Sequence, residues 1–529
     1  MLRQLVICGI AVVGIRYGDA RAGTCPHGII YVDAAAPAVG ATGANWATAF
    51  PDLQAALACA EPGDQVWVAG GLYKPTAGAD RGISFVLESG VAVYGGFAGT
   101  ETQLSQRQPS VTPGSANVSE LSGDVGVVGN GLDNSNHVVV GSGTNATAIL
   151  DGFLIRRGRD DNGAGAGLLV DGGSPTLRLL RCQQNFALNG GGMAVRGGAS
   201  PRISDVTFAQ NTTGTSGGGL YVLQSSPVLE RVTFDDNRSL DIGGGGLASD
   251  RSTFACTACT FLGNDVVTAG GQGDGGGLNA FMSTLSFVDA LFAGNSALLN
   301  GGASATVSGS TTFVNSRFFD NSVNLNGGAI VDGPGAQTTA VNVVFDGNTA
   351  GQQGNVWYSS NTGGAIMDVV TITGRAGLGS EIYQENVPNG GRLRNVILWG
   401  QLGVPIAGVG SQAATVSNAI VQGGCPPGTT CSNVTMADPQ FVDADGADNV
   451  PYTTDDDLRL APTSPARDAG DSANLPGDAL DVDRDGNTAE PLPLDLDRRS
   501  RVIGAQVDLG AYEYSDVLLG DGFEDPPAP

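Results

Sequence analysis

The sequence predicts an all-β chain wound as a single-stranded right-handed parallel β-helix, with an N-terminal cap helix and an Asp-rich C-terminal cap region. Two periodic landmarks and the texture between them predict it. Phe-x-x-Asn recurs at Phe208…Asn211, Phe234…Asn237, Phe261…Asn264, Phe292…Asn295, Phe318…Asn321 and Phe345…Asn348, and Cys182…Asn185 carries Cys in the Phe slot. Successive Asn residues lie 26, 26, 27, 31, 26 and 27 apart. After each Asn comes a glycine cluster and then usually an apolar residue, as in Gly190-Gly191-Gly192-Met193, Gly217-Gly218-Gly219-Leu220, Gly327-Gly328-Ala329-Ile330 and Gly363-Gly364-Ala365-Ile366. Between landmarks the segments are short, β-branched or aromatic, and alternate apolar with polar, which is strand periodicity with every second side chain inside.

A period near 26 residues without a helical stretch excludes βαβ units and describes one coil of a solenoid. Parallel pairing adds ~4.8 Å per coil, so the Phe slots stack at contact distance, each burial contributing about 1.5–3 kcal/mol. Asn tolerates a left-handed turn and can bond to an Asn stacked above it. Gly occupies turns closed to any Cβ.

Element by element, Arg3, an apolar run from Leu5 to Ile15 and Ala20-Arg21-Ala22 read as an export signal over 1–22. Residues 23–62 form an N-terminal cap in which Pro51 to Ala60 is a helix with Pro at its first position and Leu53, Ala56, Leu57 and Ala60 on one face. The β-helix proper covers 63–436, regular over 163–366; the Asp-rich cap region covers 437–514 and a tail 515–529. Past the signal no run reaches the ~18 apolar residues of a membrane helix.

Gly at 83 of 529 residues, 41% apolar and 15% charged residues describe an ordered, turn-rich chain rather than a disordered one. A formal charge of −26, from 26 basic and 52 acidic residues, repels nucleic acid and anionic membranes. Seven cysteines follow the signal, and export permits disulfides. Cys425 and Cys431 bracket the tight Pro426-Pro427-Gly428 loop and are expected to pair; Cys25 with Cys59 is the second expected pair. Cys256-x-x-Cys259 has redox or zinc spacing, but the alignment puts both in apolar slots, as buried thiols.

The paired GGA[ILV] and FxxN motifs resemble the repeats of chlamydial polymorphic outer membrane proteins and of bacterial surface proteins described as right-handed β-helices. Ile30-Tyr31-Val32-Asp33, Pro62 to Ala69, Tyr94 to Thr102 and Asp508-Leu509-Gly510-Ala511-Tyr512-Glu513 extend the second likeness over roughly 28–514. The resemblance implies the fold; the scaffold hosts adhesins, lyases and other proteins, so function must come from a site. The chlamydial type ends in a translocator barrel, whereas only Asp516 to Pro529 follow the last strand here.

The chemistry is sparse. Asp235, Asp236, Asp320 and Asp346 recur beside FxxN and could supply the two carboxylates of a glycosidase, but Asp is also a favoured solvated turn residue. Two histidines, His27 and His137, give a triad little material, and Gly214-Thr215-Ser216-Gly217-Gly218 matches GxSxG inside a repeat turn, without the strand-to-helix context of a nucleophile elbow. Asp481, Asp483, Asp485 and Asn487 have the D-x-D-x-D-G spacing that turns oxygens toward one calcium ion, although Leu492 stands where an EF-hand requires Glu. Asn to glycine-cluster distances are 7 to 9 residues in most coils but 13 after Asn264 and 16 after Asn348. Such insertions share one edge of a solenoid. The first contains Asp274 and the second Trp357-Tyr358, an aromatic pair suited to a sugar ring, which makes this edge the candidate ligand face. The expectation is an exported, non-catalytic adhesion or glycan-recognition protein with a polysaccharide or surface glycan as partner; a polysaccharide lyase or glycoside hydrolase is the alternative, and a structural spacer the third.

Overall fold

A computed structural model describes residues 25–267, 273–360, 363–374, 379–400 and 404–515; the expected export signal and the tail beyond Ser515 lie outside them. The chain is a right-handed parallel β-helix. Among the described residues its strands form three parallel sheets of 20, 12 and 8 strands running along the stack, and a two-stranded antiparallel pair stands apart. No helix of the described residues is long and apolar enough to cross a membrane.

Each landmark becomes a column. Cys182 pairs with Phe208, Phe208 with Phe234, Phe234 with Phe261, and the register continues through Phe292 and Phe318 to Phe345. The rings from Phe208 onward stack at centroid separations of 5.3, 4.6, 4.3, 4.8 and 4.8 Å, every ring fully buried. Phe287 and Phe313 form a second stack set edge-on to the first.

The Asn column is a closed hydrogen-bond system. Asn211 donates its backbone N–H (3.1 Å) and its Nδ2 (3.0 Å) to Oδ1 of Asn237, and a second Nδ2 proton to the Cys182 carbonyl (2.8 Å). Asn185, Asn237, Asn264, Asn295 and Asn321 repeat the pattern toward the next rung. These Asn residues are not the left-handed ones, contrary to expectation. The preceding residue takes that conformation, as in Gln210 (φ 53°), Asp236 (51°) and Asp320 (46°).

In the glycine cluster the first residue, such as Gly190 (φ 61°), is left-handed, and a Cβ on the third, Gly192, would sit 2.8 Å from the Phe208 ring. That requirement corrects the 16-residue spacing after Asn348. Gly354 (φ 66°) is the obligatory turn glycine of that coil, Asn355 and Val356 replace the next two, and Trp357 pairs with Ile330. Gly363 to Ile366 belongs instead to the long sheet, where Ile366 pairs with Thr339. The coil after Asn348 thus reaches its turn glycine without an insertion, and Trp357 is a core residue.

Helix α1 (Leu53–Cys59) closes the first coils by burying Leu53 and Ala56, with Leu57 and Ala60 packed against the core. Its N-cap is Asp52, whose carboxylate accepts the Gln54 N–H at 2.9 Å, so Pro51 precedes the cap rather than opening the helix. The expected disulfides Cys25–Cys59 and Cys425–Cys431 are formed. Cys256 and Cys259 are bonded to each other, not free thiols, with Cα atoms 5.9 Å apart; left-handed Ala258 (φ 53°) bends the chain so that two adjacent interior slots face one another. Cys182 alone among the described cysteines is free, and buried.

The Asp-rich segment covers a flank of the stack. Val482, Leu492 and Val507 pack on Val288, Val314, Val341 and Val369, and Leu460, Ala466 and Leu509 pack on Ile397 and Ile420. It is pinned to the bend of the long sheet: Arg498 pairs with Asp289 (2.7 Å), Asn342 donates to the Leu494 carbonyl (3.3 Å), and Asn395 exchanges two hydrogen bonds with the Asp471 backbone (2.8 and 3.1 Å).

Replacing Asn264 by Ala removes the acceptor of two buried Asn237 donors. At about 1–3 kcal/mol per orphaned group, the expected loss is about 2–5 kcal/mol, read as a lower urea midpoint followed by circular dichroism. A midpoint equal to that of the parent would show that the column does not hold the coils in register.

Candidate functional site

From Asn237 onward, a two-residue strand between each Asn and its turn glycine enters the eight-stranded sheet. Asp265 pairs with Ser296, Ser296 with Ser322 and Ser322 with Thr349; beside them Val266, Ala297, Val323 and Ala350 form a second column, a small apolar cluster of their own. Both columns line a shallow groove of about 470 Å³ that runs across four successive coils, with Val267, Leu298, Asn324 and Gly351 as its border. Its charged residue is Asp265, whose Oδ1 accepts the Ser296 hydroxyl (3.0 Å) and whose Oδ2 pairs with Arg238 at the groove's end (3.1 Å). The side chains of Ser296, Ser322 and Thr349 are half-buried, presenting hydroxyls at ~4.8 Å intervals.

This is the edge on which the loop-length argument placed a ligand face, but its residues are different ones. Asp274 lies in the turn row next to the groove, paired with Gly243 on one side and Asn300 on the other. Its Oδ1 accepts Asn300 Nδ2 (3.0 Å), Asn326 continues that row to Asn300 Oδ1 (3.3 Å), and burial raises the Asp274 carboxyl above its usual range. Trp357 is fully buried, and its indole N–H donates to Asp332 (3.1 Å). Tyr358, on the opposite face of the same strand, is half-buried, stacks on Tyr383 at 5.7 Å and bonds Glu385. The two aromatics therefore do not act as a pair.

The acidic turn residues Asp235 and Asp346 do not converge either. Asp235 and Asp346 occupy one column with Leu262, Ala293 and Phe319 between them. Four coils at ~4.8 Å set them about 19 Å apart, beyond the ~5–10 Å between glycosidase carboxylates. Asp346, moreover, is buried and accepts from Thr373 rather than facing solvent.

In the Asp-rich segment the carboxylates of Asp481, Asp483 and Asp485 bring one oxygen each within 4.8 Å of the others, and Asp478, Asp483 and Glu490 form an overlapping second group. Asn487 lies beside Glu490 of the second group, and its Oδ1 accepts the Ala489 N–H at 3.3 Å. Burial first, and the neighbouring carboxylates after it, raise Asp478. These groups have the hard-oxygen chemistry of a calcium ligand set.

Sequence reading missed an interior polar column. The third position of each strand in the twelve-stranded sheet reads Val195, Val222, Ser249, Ala280, Thr306, Asp332, Ser359, Gln384 in register. Aligning that position coil by coil would have exposed it. Asp332 accepts from Thr338 and Trp357. Burial pushes its carboxyl up to about 6, and Glu381, two coils on and bonded by Asn355, up to about 7.

No protein-family model matches the chain, and no curated protein matches it. Among solved structures, a pectate lyase aligns over 93% of this chain and 98% of its own, at 13% identity and a TM-score of 0.40. A rhamnogalacturonan lyase aligns over 82% and 97%, at 13% identity and 0.35. A mutant DFA-IIIase from Arthrobacter chlorophenolicus A6, in complex with DFA-III, aligns over 77% and 98%, at 10% identity and 0.27. Likenesses at that level bear on neither substrate nor reaction.

The two buried acids give stability a sign with pH. Both are raised in the folded state, so the neutral acid is favoured there. Their contribution is present below about pH 4 and is lost as pH rises through 6 to 7. Each raised unit is worth about 1.4 kcal/mol, so each acid accounts for about 3 kcal/mol. The thermal midpoint is expected to fall between about pH 4 and 7, and Glu381→Gln to flatten that slope; a slope unchanged in the variant would remove Glu381 from the account.

Proposed function

We propose that the chain is an exported β-helix protein that binds an extended polysaccharide along the eight-stranded sheet. The groove carries this reading: it runs across four successive coils and is lined by regularly spaced hydroxyls, which is how a polymer of repeating polar units is met. The three disulfides fit a chain that matures in an oxidising compartment. Attachment to a surface glycan follows from such a groove without further chemistry.

The test is electrophoresis of the purified protein through gels containing neutral or acidic polysaccharides, with the digests assayed for new ends. Retardation by at least one polysaccharide is expected, with Thr349→Trp, which fills the groove, abolishing it while leaving the thermal midpoint within about 1 °C. Unsaturated or reducing ends appearing in the digest would make the protein a lyase or hydrolase rather than a recognition module. Free migration in every gel would sink the proposal.

We also propose calcium at the Asp481–Asp483–Asp485 group, where it would relieve carboxylate repulsion in the segment that covers the long sheet. Saturation a hundredfold above Kd stabilises by about 2.7 kcal/mol, so calcium should raise the thermal midpoint by several degrees over chelator. Asp483→Asn, which breaks both acidic groups, is expected to abolish that rise; an identical rise in the variant would place the ion elsewhere.

A further inference from the structure

We infer that the ligand of the groove is a neutral, unbranched glycan read one sugar per coil over four coils; this rests on the polysaccharide reading above and names its substrate class. Three features of the groove lead there. Three of the four rungs of its polar column, Ser296, Ser322 and Thr349, differ by no more than a methyl group, so these successive subsites are nearly equivalent, and Asp265 ends the row. The interval between them is the strand spacing of ~4.8 Å, close to the advance of one pyranose unit in an extended chain. A ligand of identical units in line matches this; a branched or coiled one loses register after the first contact.

The charge pattern decides between a neutral polymer and a polyuronate. Of the residues lining the groove Asp265 bears a charge, and Arg238 is already paired to it. Asp274 stands in the neighbouring turn row, and the whole chain carries −26. A row of sugar carboxylates laid on Ser296, Ser322 and Thr349 would meet hydroxyls but no guanidinium, against the long-range field of the protein. A neutral glycan meets no such penalty. Its hydroxyls can donate to Asp265 and exchange bonds with the Ser and Thr hydroxyls, while its C–H faces meet Val267 and Leu298 at the border.

No ring lines the groove, so each subsite contributes weakly and affinity must come from length. Titration calorimetry of the full chain with linear cello- and manno-oligosaccharides from two to six units, beside oligogalacturonates of the same lengths, tests this. For a neutral series, affinity should rise severalfold with each unit up to four and then level off. Ser322→Trp should abolish binding with an unchanged thermal midpoint; if that variant does not fold, Asn324→Trp on the exposed rim serves the same purpose. Oligogalacturonates that bind more tightly, and are lost in the same variant, overturn the neutral class while leaving the polysaccharide reading intact. Affinity independent of length, or untouched by both variants, overturns the coil-by-coil register. Absence of binding by every oligosaccharide and every polysaccharide overturns both readings together.

Discussion

The interaction on which the rest depends is the interior amide column from Asn185 to Asn348. A rung such as Asn237 spends its amide oxygen on two donors of the coil before it, one Nδ2 proton on a backbone carbonyl of that same coil and the other on the Asn of the next, so the bonds link three consecutive coils. A slip of one residue would bury two donors and an acceptor without partners, at about 1–3 kcal/mol each, and would turn every side chain of the strand to the wrong face. The Phe stack alone could not enforce this, because dispersion between rings is tolerant of sliding. Aromatic burial supplies the driving force and the amides supply the register.

A fixed corner dictates where irregularity can go. The coil that begins at Asn264 is longer than its neighbours, yet Asp274 returns to the turn row between Gly243 and Asn300, so the extra length is taken up before that row. The bend of the long sheet is a second fixed line, a run of left-handed residues that includes Asp289, Asn315, Asn342 and Asn395. In a lone coil such residues would be ordinary turn formers. Here Asp289, Asn342 and Asn395 are the contacts by which the Asp-rich segment is held, because their side chains meet Arg498, Leu494 and Asp471. The segment thus shields the apolar outer face at Val288, Val314, Val341 and Val369, which a solenoid left bare would expose to other chains.

The fold was legible because its two signals are backbone requirements repeated coil after coil. Phe208, Phe234 and Phe261 could be aligned by eye, and their stacking follows from the period. What was misread is what departs from consensus while keeping the backbone. Gly354-Asn355-Val356-Trp357 retains only the one glycine whose φ is obligatory, so a search for glycine clusters passed over it and made a loop of a core strand. Cys256 and Cys259 were correctly placed inside, but their bonding depends on the left-handed Ala258 between them, and Ala gives no sign of that conformation. The groove was legible as an edge and not as residues: Ser296, Ser322 and Thr349 are unremarkable turn-flanking residues until pairing sets them in one line. Asp332 and Glu381 were hidden for the opposite reason, since polar residues in short segments default to the outside.

The positions of groove and polar interior are related. The third position of the twelve-stranded sheet changes from Val195 and Val222 to Ser249 and then to Thr306, Asp332 and Ser359, and the groove from Asp265 to Thr349 spans the same stretch. A core that is wholly apolar gains from every added coil equally and has no reason to vary along its length. Buried carboxyls cost stability unless neutral or bonded, and the Trp357 and Thr338 donors to Asp332 offset only part of that cost. The coils bearing the groove are therefore the ones whose interior favours mildly acidic conditions, and the amide column passes through both regions unchanged. A ligand spanning four of these coils would tie their outer strands together across the same stretch in which the core is least apolar, so that binding and coil stability are linked through the spacing the Asn residues impose.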